Sequence, residues 1–248
     1  MTKEMSKRQQ RREKMRREQQ QRRLITIGLV TLGAVFLAAI FILPTLRTAL
    51  APVGDIATVE PREYPEADGL ALGDPNAPVK IDVFEDFQCP ACRTYTQDIE
   101  PQIIATYVET GQAYYVFHHY PFIDTNSVTK ESQQAANAAM CANEQDKFWE
   151  YHEVLFANWN GENQGAFTDR RLLAFAGTVE GLDQDAFTTC FEENRYEQEI
   201  DSDFELGQQM GVNGTPSVFV NGEIISPGFI PQFEDIQAAV EAIIATPQ

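Results

Sequence analysis

The chain is poor in cysteine, with four among 248 residues, and poorer still in histidine, with three. A zinc site built on a Cys-x-x-Cys pair needs two further ligands, and no second such pair supplies them. No Cys lies near the long apolar run at the N-terminal end, which argues against a lipoprotein anchor. Basic residues are scarce beyond the first 23 positions. Met1–Arg23 holds ten Lys and Arg beside three acids, a local charge of +7, while the rest holds nine basic and 34 acidic residues, a charge of −25. That acidity disfavours nucleic acid and anionic lipid surfaces as partners. Internal repeats and low-complexity runs are also missing.

Charge is missing altogether from Leu24 to Leu43. Twenty helical residues at about 1.5 Å each span roughly 30 Å, the thickness of a bilayer core. Basic flanks stay in the cytoplasm. The expected layout is a basic cytoplasmic segment (1–23), a transmembrane anchor (24–43), an extracytoplasmic linker rich in Pro, Ala and acids (44–69), and one folded domain (70–248). The protein is thus expected in the cell membrane, single-pass, with its C-terminal domain outside. A cleaved signal peptide is the rival reading, with Ala49-Leu50-Ala51 as the small-residue site. Against it, the run exceeds the usual signal core of about 7–15 residues, and Pro52 would follow the cut. Either way the cysteines reach a compartment where disulfides persist.

Within the domain, Asp74-Pro75-Asn76-Ala77-Pro78 is a turn, and Lys80–Phe87 a core strand. Thr94–Thr110 is a helix with Tyr95, Ile99, Ile103 and Tyr107 on one face, bent at Pro101 and stopped at Gly111. Ala113–His118 is a second strand. From Asn126 to about Gly211 the pattern is helical. Aromatics there, such as Phe148, Trp149 and Phe156, fall at helical spacing and are read as core. Ser217–Val220, the Asn221-Gly222 turn and Glu223–Ile225 form a hairpin, and Phe233–Ile244 is a last helix. The order β-α-β, helical block, α-β-β-α implies an α/β fold with a mixed central sheet flanked by helices.

Phe87-Gln88-Cys89-Pro90-Ala91-Cys92 places a Cys-x-x-Cys where a strand ends and a helix begins. Unpaired N–H groups and the positive dipole end of that helix stabilise a Cys89 thiolate. Thiols so placed titrate at about 3.5–7 instead of about 8.5. The chemistry expected is thiol–disulfide exchange, with Cys89 as nucleophile, Cys92 as resolving thiol and Pro90-Ala91 between them. No metal and no cofactor is expected. Gly214-Thr215-Pro216 precedes the hairpin. A cis Thr215–Pro216 bond would turn the Thr215 backbone outward beside Cys89, free to pair with an extended substrate segment. Cys141 and Cys190, both in the helical block, are expected to form a structural disulfide, with two buried free thiols as the alternative. His118 and His119 are adjacent on a strand, point to opposite faces, and cannot jointly chelate a metal.

From Leu72 to Ile244 the chain resembles the DsbA-type group of the thioredoxin-like superfamily, exported bacterial thiol–disulfide oxidoreductases that include membrane-anchored BdbD forms. The resemblance rests on Gly73-Asp74-Pro75-Asn76-Ala77-Pro78, Asp86–Cys92, Val116-Phe117-His118-His119-Tyr120-Pro121, Lys147-Phe148-Trp149-Glu150-Tyr151-His152 and Gly211–Pro216, in that order. It implies a thioredoxin fold with an inserted helical domain (about 126–200), Cys89 and Cys92 in the roles above, and Pro216 as the cis residue. Two departures stand out. Val83 occupies the place where relatives often carry an acid, leaving Glu85 as the nearest candidate proton relay. Ala91 stands where strongly oxidising DsbA proteins have His.

The implied function is oxidation of unfolded or partly folded exported proteins. A membrane protein of the DsbB or vitamin-K-epoxide-reductase type would reoxidise the pair. The alternatives are a reductase or isomerase kept reduced by a membrane electron donor, and a non-catalytic chaperone-like binding module.

Overall fold

The computed structural model describes residues 7–50, 53–60, 62–227 and 229–245. The chain falls into two compact units, Met1–Pro52 and Val53–Gln248. The first is one helix, α1 (Lys7–Leu50). Within its stretch Met15–Ile40 an 18-residue window reaches a mean hydropathy of 2.1, long and apolar enough to cross a membrane by length and composition. Leu24, Leu29, Leu32 and Phe36 are all exposed on it. The helix continues past Pro44 through Thr45–Leu50, where Leu, Arg and Ala favour helix. Residues 1–6, Ala51 and Pro52, and with them part of the alternative cleavage site, lie outside the described residues.

The second unit begins earlier than the expected boundary at residue 70. The segment expected to be a free linker packs onto the domain from Val53. Ile56, Val59 and Tyr64 lie against the core. Ala57 exchanges two hydrogen bonds with Asn158, at 2.8 and 2.9 Å. The Val53 carbonyl accepts from Arg171. An extended strap needs no periodic pattern to bury a side chain every few residues, so periodicity does not reveal it.

The sheet has five strands: β1 (Ala71–Leu72), β2 (Val79–Glu85), β3 (Ala113–His119), β4 (Ser217–Val220) and β5 (Glu223–Ile225). Their spatial order is β1-β3-β2-β4-β5. β2 runs parallel to β3 and antiparallel to β4, with Val83 opposite Phe117 on one side and Val218 on the other. The two-residue β1 escapes sequence reading because it is too short to show alternation. The hairpin turn takes positive φ at Asn221 (46°) and Gly222 (84°), as a type I′ turn demands.

The helix after the cysteines starts at Pro90 instead of Thr94, because Pro is pre-set for a first helical turn. It is broken as well as bent: α2 (Pro90–Asp98) stops at Ile99, α3 (Glu100–Ile103) restarts there, and a wide turn follows over Ile104–Val108. Pro101 has no N–H to continue the ladder, and its ring crowds the preceding turn.

The helical block consists of α4 (Glu131–Asn143), α5 (Phe148–Ala157), α6 (Asp169–Ala176) and α7 (Gln184–Glu192). A disulfide joins Cys141 of α4 to Cys190 of α7, both fully buried. Next, α8 (Glu197–Gln209) returns to the sheet, so the insertion ends ahead of it. Phe204 stacks on Tyr120 at 4.5 Å. Gly207 passes so close that an added Cβ would meet the Tyr120 ring at 2.7 Å. α9 (Phe233–Ile244) closes the fold, burying Ile236 and Val240.

Candidate active site

Cys89 is the N-cap of α2 and Pro90 its first residue. Cys89 is 5% exposed and Cys92, one turn on, is sealed at 0%. Neither carries a disulfide. The Thr215–Pro216 bond is cis, and the Thr215 carbonyl accepts the Cys89 thiol at 3.2 Å. The strand–helix junction and the hairpin entrance thus meet, as the sequence reading places them. Beside them lies a cleft of about 400 Å³ lined by Ala91, Met210, Thr215, Pro216, Ile224 and Phe229. Phe229 is 78% exposed at its rim.

The two thiols are driven apart electrostatically. Cys89 is lowered to about 6, chiefly because the Cys92 thiol donates a hydrogen bond to its sulfur. Thr215 and the backbone N–H groups of Cys92 and Ala91 add to this, and burial opposes it. Cys92 is pushed well above the ordinary thiol value, first by burial, then by its bond to Cys89 and the nearby charge of Glu85. One sulfur is made an anion near neutral pH and its neighbour a proton holder, which is the division of labour that exchange needs.

Glu85, the last residue of β2, is buried behind the pair. Its charge acts on Cys92, and it accepts from the Thr96 hydroxyl at 3.4 Å. Burial drives its carboxyl well above the usual range, with the charges of Glu100 and Cys89 adding to the rise. Val83, two residues back, is apolar core at 0% exposure. The acid reaches the resolving thiol from the neighbouring inward position of the same strand.

Three features went unread in the sequence. First, Glu100 and His152 lie deeper, each fully buried. One polar atom each of Glu85, Glu100 and His152 falls within 4.8 Å of the others, so three buried proton-carrying groups share one place in the core. Second, the helical block clamps the active-site turn. Gln88 donates to Ser132 at 2.9 Å and accepts from Asn163 N–H at 2.6 Å, while its carbonyl accepts from Trp159 at 2.6 Å. Asp86 accepts from Gln88 N–H, Ser132 and Ile123 N–H at 2.8, 2.6 and 3.0 Å, and burial raises it to about 7. Third, Arg93 donates to the Phe156 carbonyl at 3.2 Å and sits 5.6 Å over the Trp159 ring. The Asp-Phe-Gln run before Cys89 was the signal for the second feature. Its partners lie 36 to 75 residues away and carry no mark of their own.

His118 and His119 face opposite sides, as alternation requires. His118 bonds Asp82 at 2.8 Å and Asp203 at 3.3 Å. His119 is buried among Phe87, Phe117 and Phe148.

Comparison with known proteins agrees with this geometry. A family model described as thioredoxin matches residues 66–242. The probable disulfide bond formation protein D of Bacillus cereus is 29% identical over 160 residues, covering 64% of this chain and 73% of that protein. The crystal structure of oxidised BdbD from Bacillus subtilis superposes with a TM-score of 0.65 at 24% identity, covering 78% of this chain and all of that one. Chlamydia trachomatis DsbA gives a TM-score of 0.59 at 22% identity, over 75% of this chain and 97% of that one.

Proposed function

The chain belongs to the thioredoxin family and is a DsbA-like thiol–disulfide oxidoreductase; from that premise we propose that it oxidises cysteines of exported proteins through Cys89 and Cys92. The observation that carries this reading is the placement of the two thiols: Cys89 caps α2 and meets the Thr215 carbonyl before the cis Pro216 at 3.2 Å, while Cys92 is sealed behind it, and Cys89 is lowered while Cys92 is raised. A stabilised Cys89 thiolate favours the dithiol form, and a pair that prefers to be reduced is an oxidant.

In the oxidised protein a substrate thiolate attacks the Cys89 sulfur. The Cys89–Cys92 bond breaks as the mixed disulfide forms, and Cys92 leaves as a thiolate that takes a proton from Glu85. A second substrate thiolate attacks the substrate sulfur and releases Cys89, a good leaving group because its thiolate is stable. Two electrons pass from substrate to the pair. Thr215 and the adjoining cleft hold an extended, partly unfolded segment beside Cys89. The unit 24–43 anchors the protein with its N-terminus in the cytoplasm and the domain, now taken from Val53, outside. A quinone-linked membrane oxidase of the DsbB or vitamin-K-epoxide-reductase class restores the disulfide.

The experiment is the reduction potential of Cys89–Cys92 in the full chain, equilibrated in glutathione buffers with the thiols trapped. A potential toward about −120 mV supports the oxidase. One near about −270 mV overturns it in favour of a reductase fed by a membrane donor.

A further inference from the structure

Cys92 changes protonation in every catalytic cycle, yet it is fully buried, and a bound substrate covers Cys89 in front of it. Glu85 is the first proton donor to Cys92, and it too is 1% exposed, so one buried carboxyl alone has no route to regain the proton it gives. Behind it the structure continues a line of proton-carrying groups. Glu100 opens α3 at 0% exposure, its Oε2 facing the Tyr115 hydroxyl at 3.4 Å, which in turn faces Tyr95 at 3.4 Å. His152 of α5 reaches the same point, within 4.8 Å of both carboxylates.

The polar atoms at this point are unspent. Glu85 Oε1, Glu100 Oε1 and both ring nitrogens of His152 have no hydrogen-bond partner among the described residues. Buried groups of this kind are ordinarily paired. Here one polar atom from each of the three residues lies within 4.8 Å of the others. His152 is otherwise walled by rings, with Phe156 at 5.0 Å and Phe117 at 5.3 Å, so its nitrogens have little else to serve.

The line also has an outlet. Glu153 follows His152 on α5 and pairs with Arg62 of the strap at 2.9 Å, where the Arg62 side chain is 45% exposed. The pair borders a surface cavity of about 260 Å³ that also includes Tyr64 and Glu150. The remaining titratable group acting on His152 is His119 of β3, itself buried and held neutral, lowered to about 4 chiefly by burial.

We propose that Glu100 and His152 pass protons between Glu85 and the Glu153–Arg62 pair, so that Cys92 exchanges its proton with solvent through the back of the domain. The proposal rests on the exchange assigned to Cys89 and Cys92. When Cys92 leaves as a thiolate, Glu85 gives it a proton. Glu100 or His152 re-protonates Glu85, and Glu153 returns one proton from solvent. Resolution in the opposite direction runs the same transfers backwards.

The test uses the full chain in detergent, oxidised, mixed with a reduced dithiol peptide, with the release of Cys92 followed in single turnovers in H2O and D2O. Glu100→Gln keeps the shape and cannot carry a proton. His152→Phe suits the ring-lined pocket and likewise carries none. Each is expected to slow the release step about tenfold or more and to leave the pH at which Cys89 ionises unchanged, and Glu100→Gln alone is expected to abolish the wild-type loss of rate as pH rises through about 8, where Glu100 ionises. Glu153→Gln is expected to slow repeated turnover and to recover with small buffer acids. A wild-type rate, pH profile and isotope effect in both buried variants overturn the relay. One equivalent of metal, found by elemental analysis of wild type and lost in Glu85→Gln, overturns it too. No exchange by wild type removes the assignment of Cys89 and Cys92 and the relay with it, whereas exchange that is indifferent to Glu100 and His152 removes only the relay.

Discussion

Replacing Cys92 by Ala removes the largest single influence holding the Cys89 thiol at about 6. A hydrogen bond to a charged group contributes about 1.5–3 kcal/mol. At about 1.4 kcal/mol per pH unit, its loss raises Cys89 by about 1–2 units, to about 7–8. At pH 7 the thiolate fraction then falls from about nine-tenths to between about one-half and one-tenth. Cys141 and Cys190 are bonded to each other. Cys89 is therefore the one thiol left to alkylate, and its rate of reaction with iodoacetamide against pH gives the titration directly. If Cys89 still titrates near 6 in Cys92→Ala, the reasoning fails. The backbone N–H groups at the start of α2 would then hold the thiolate unaided, and Cys92 would be a resolving thiol only.

The other predictions concern pH and packing. The folded-state value of Cys89 lies below that of an unfolded thiol. Its stabilisation of the reduced form is therefore complete above about pH 8.5 and lost as pH falls through about 6. The reduction potential should fall by about 59 mV per pH unit below that point and about 30 mV per unit above it, measured in glutathione buffers. Glu100 is raised to about 8, chiefly by burial. Its contribution is full below about pH 4.3 and lost as pH rises through about 8, so keeping it protonated at pH 7 costs about 3 kcal/mol. Glu100→Gln should stabilise the domain by up to about that amount at pH 7 and by little at pH 4, read by urea unfolding. The Cys141–Cys190 bond closes a loop of 49 residues, and its removal as the double Ser variant should cost about 4 kcal/mol on the chain-entropy model. Gly207→Ala should cost about 1–3 kcal/mol in the same assay, because the new methyl meets the Tyr120 ring at 2.7 Å and Phe84 at 3.1 Å.

What was legible followed from short-range pattern. The hairpin Ser217–Ile225 and the helix Phe233–Ile244 stand at the residues where turn chemistry and period put them. The meeting of Cys89 with Thr215, 126 residues apart, was readable only through the topology those elements imply together. The strap Val53–Gly69 was illegible because an extended segment lying across helices buries Ile56, Val59 and Tyr64 without any period. The same difficulty hid Glu100. On the helix expected over Thr94–Thr110, bent at Pro101 with Tyr95, Ile99, Ile103 and Tyr107 as its inward face, nothing singled Glu100 out. The break at Ile99 alters the local geometry, and Glu100 lies at 0% exposure beneath Tyr115.

That break joins the fold to the chemistry. Pro101 forbids one continuous helix, and α3 restarts with a carboxylate turned into the core. β2 delivers Glu85 to the same place because its inward positions alternate, and α5 delivers His152 and then Glu153 on consecutive residues, one fully buried and one partly buried against Arg62. Three elements from distant parts of the chain therefore converge behind Cys92 with titratable groups where an ordinary core has apolar ones. A buried charge with no partner is among the most costly features a domain can carry. Neutral protonated carboxyls reduce that cost and also leave protons stored beside the one thiol that must gain and lose one. The instability expected at high pH and the proton supply to Cys92 are two consequences of the same residues, so Glu100→Gln should improve the first while impairing the second.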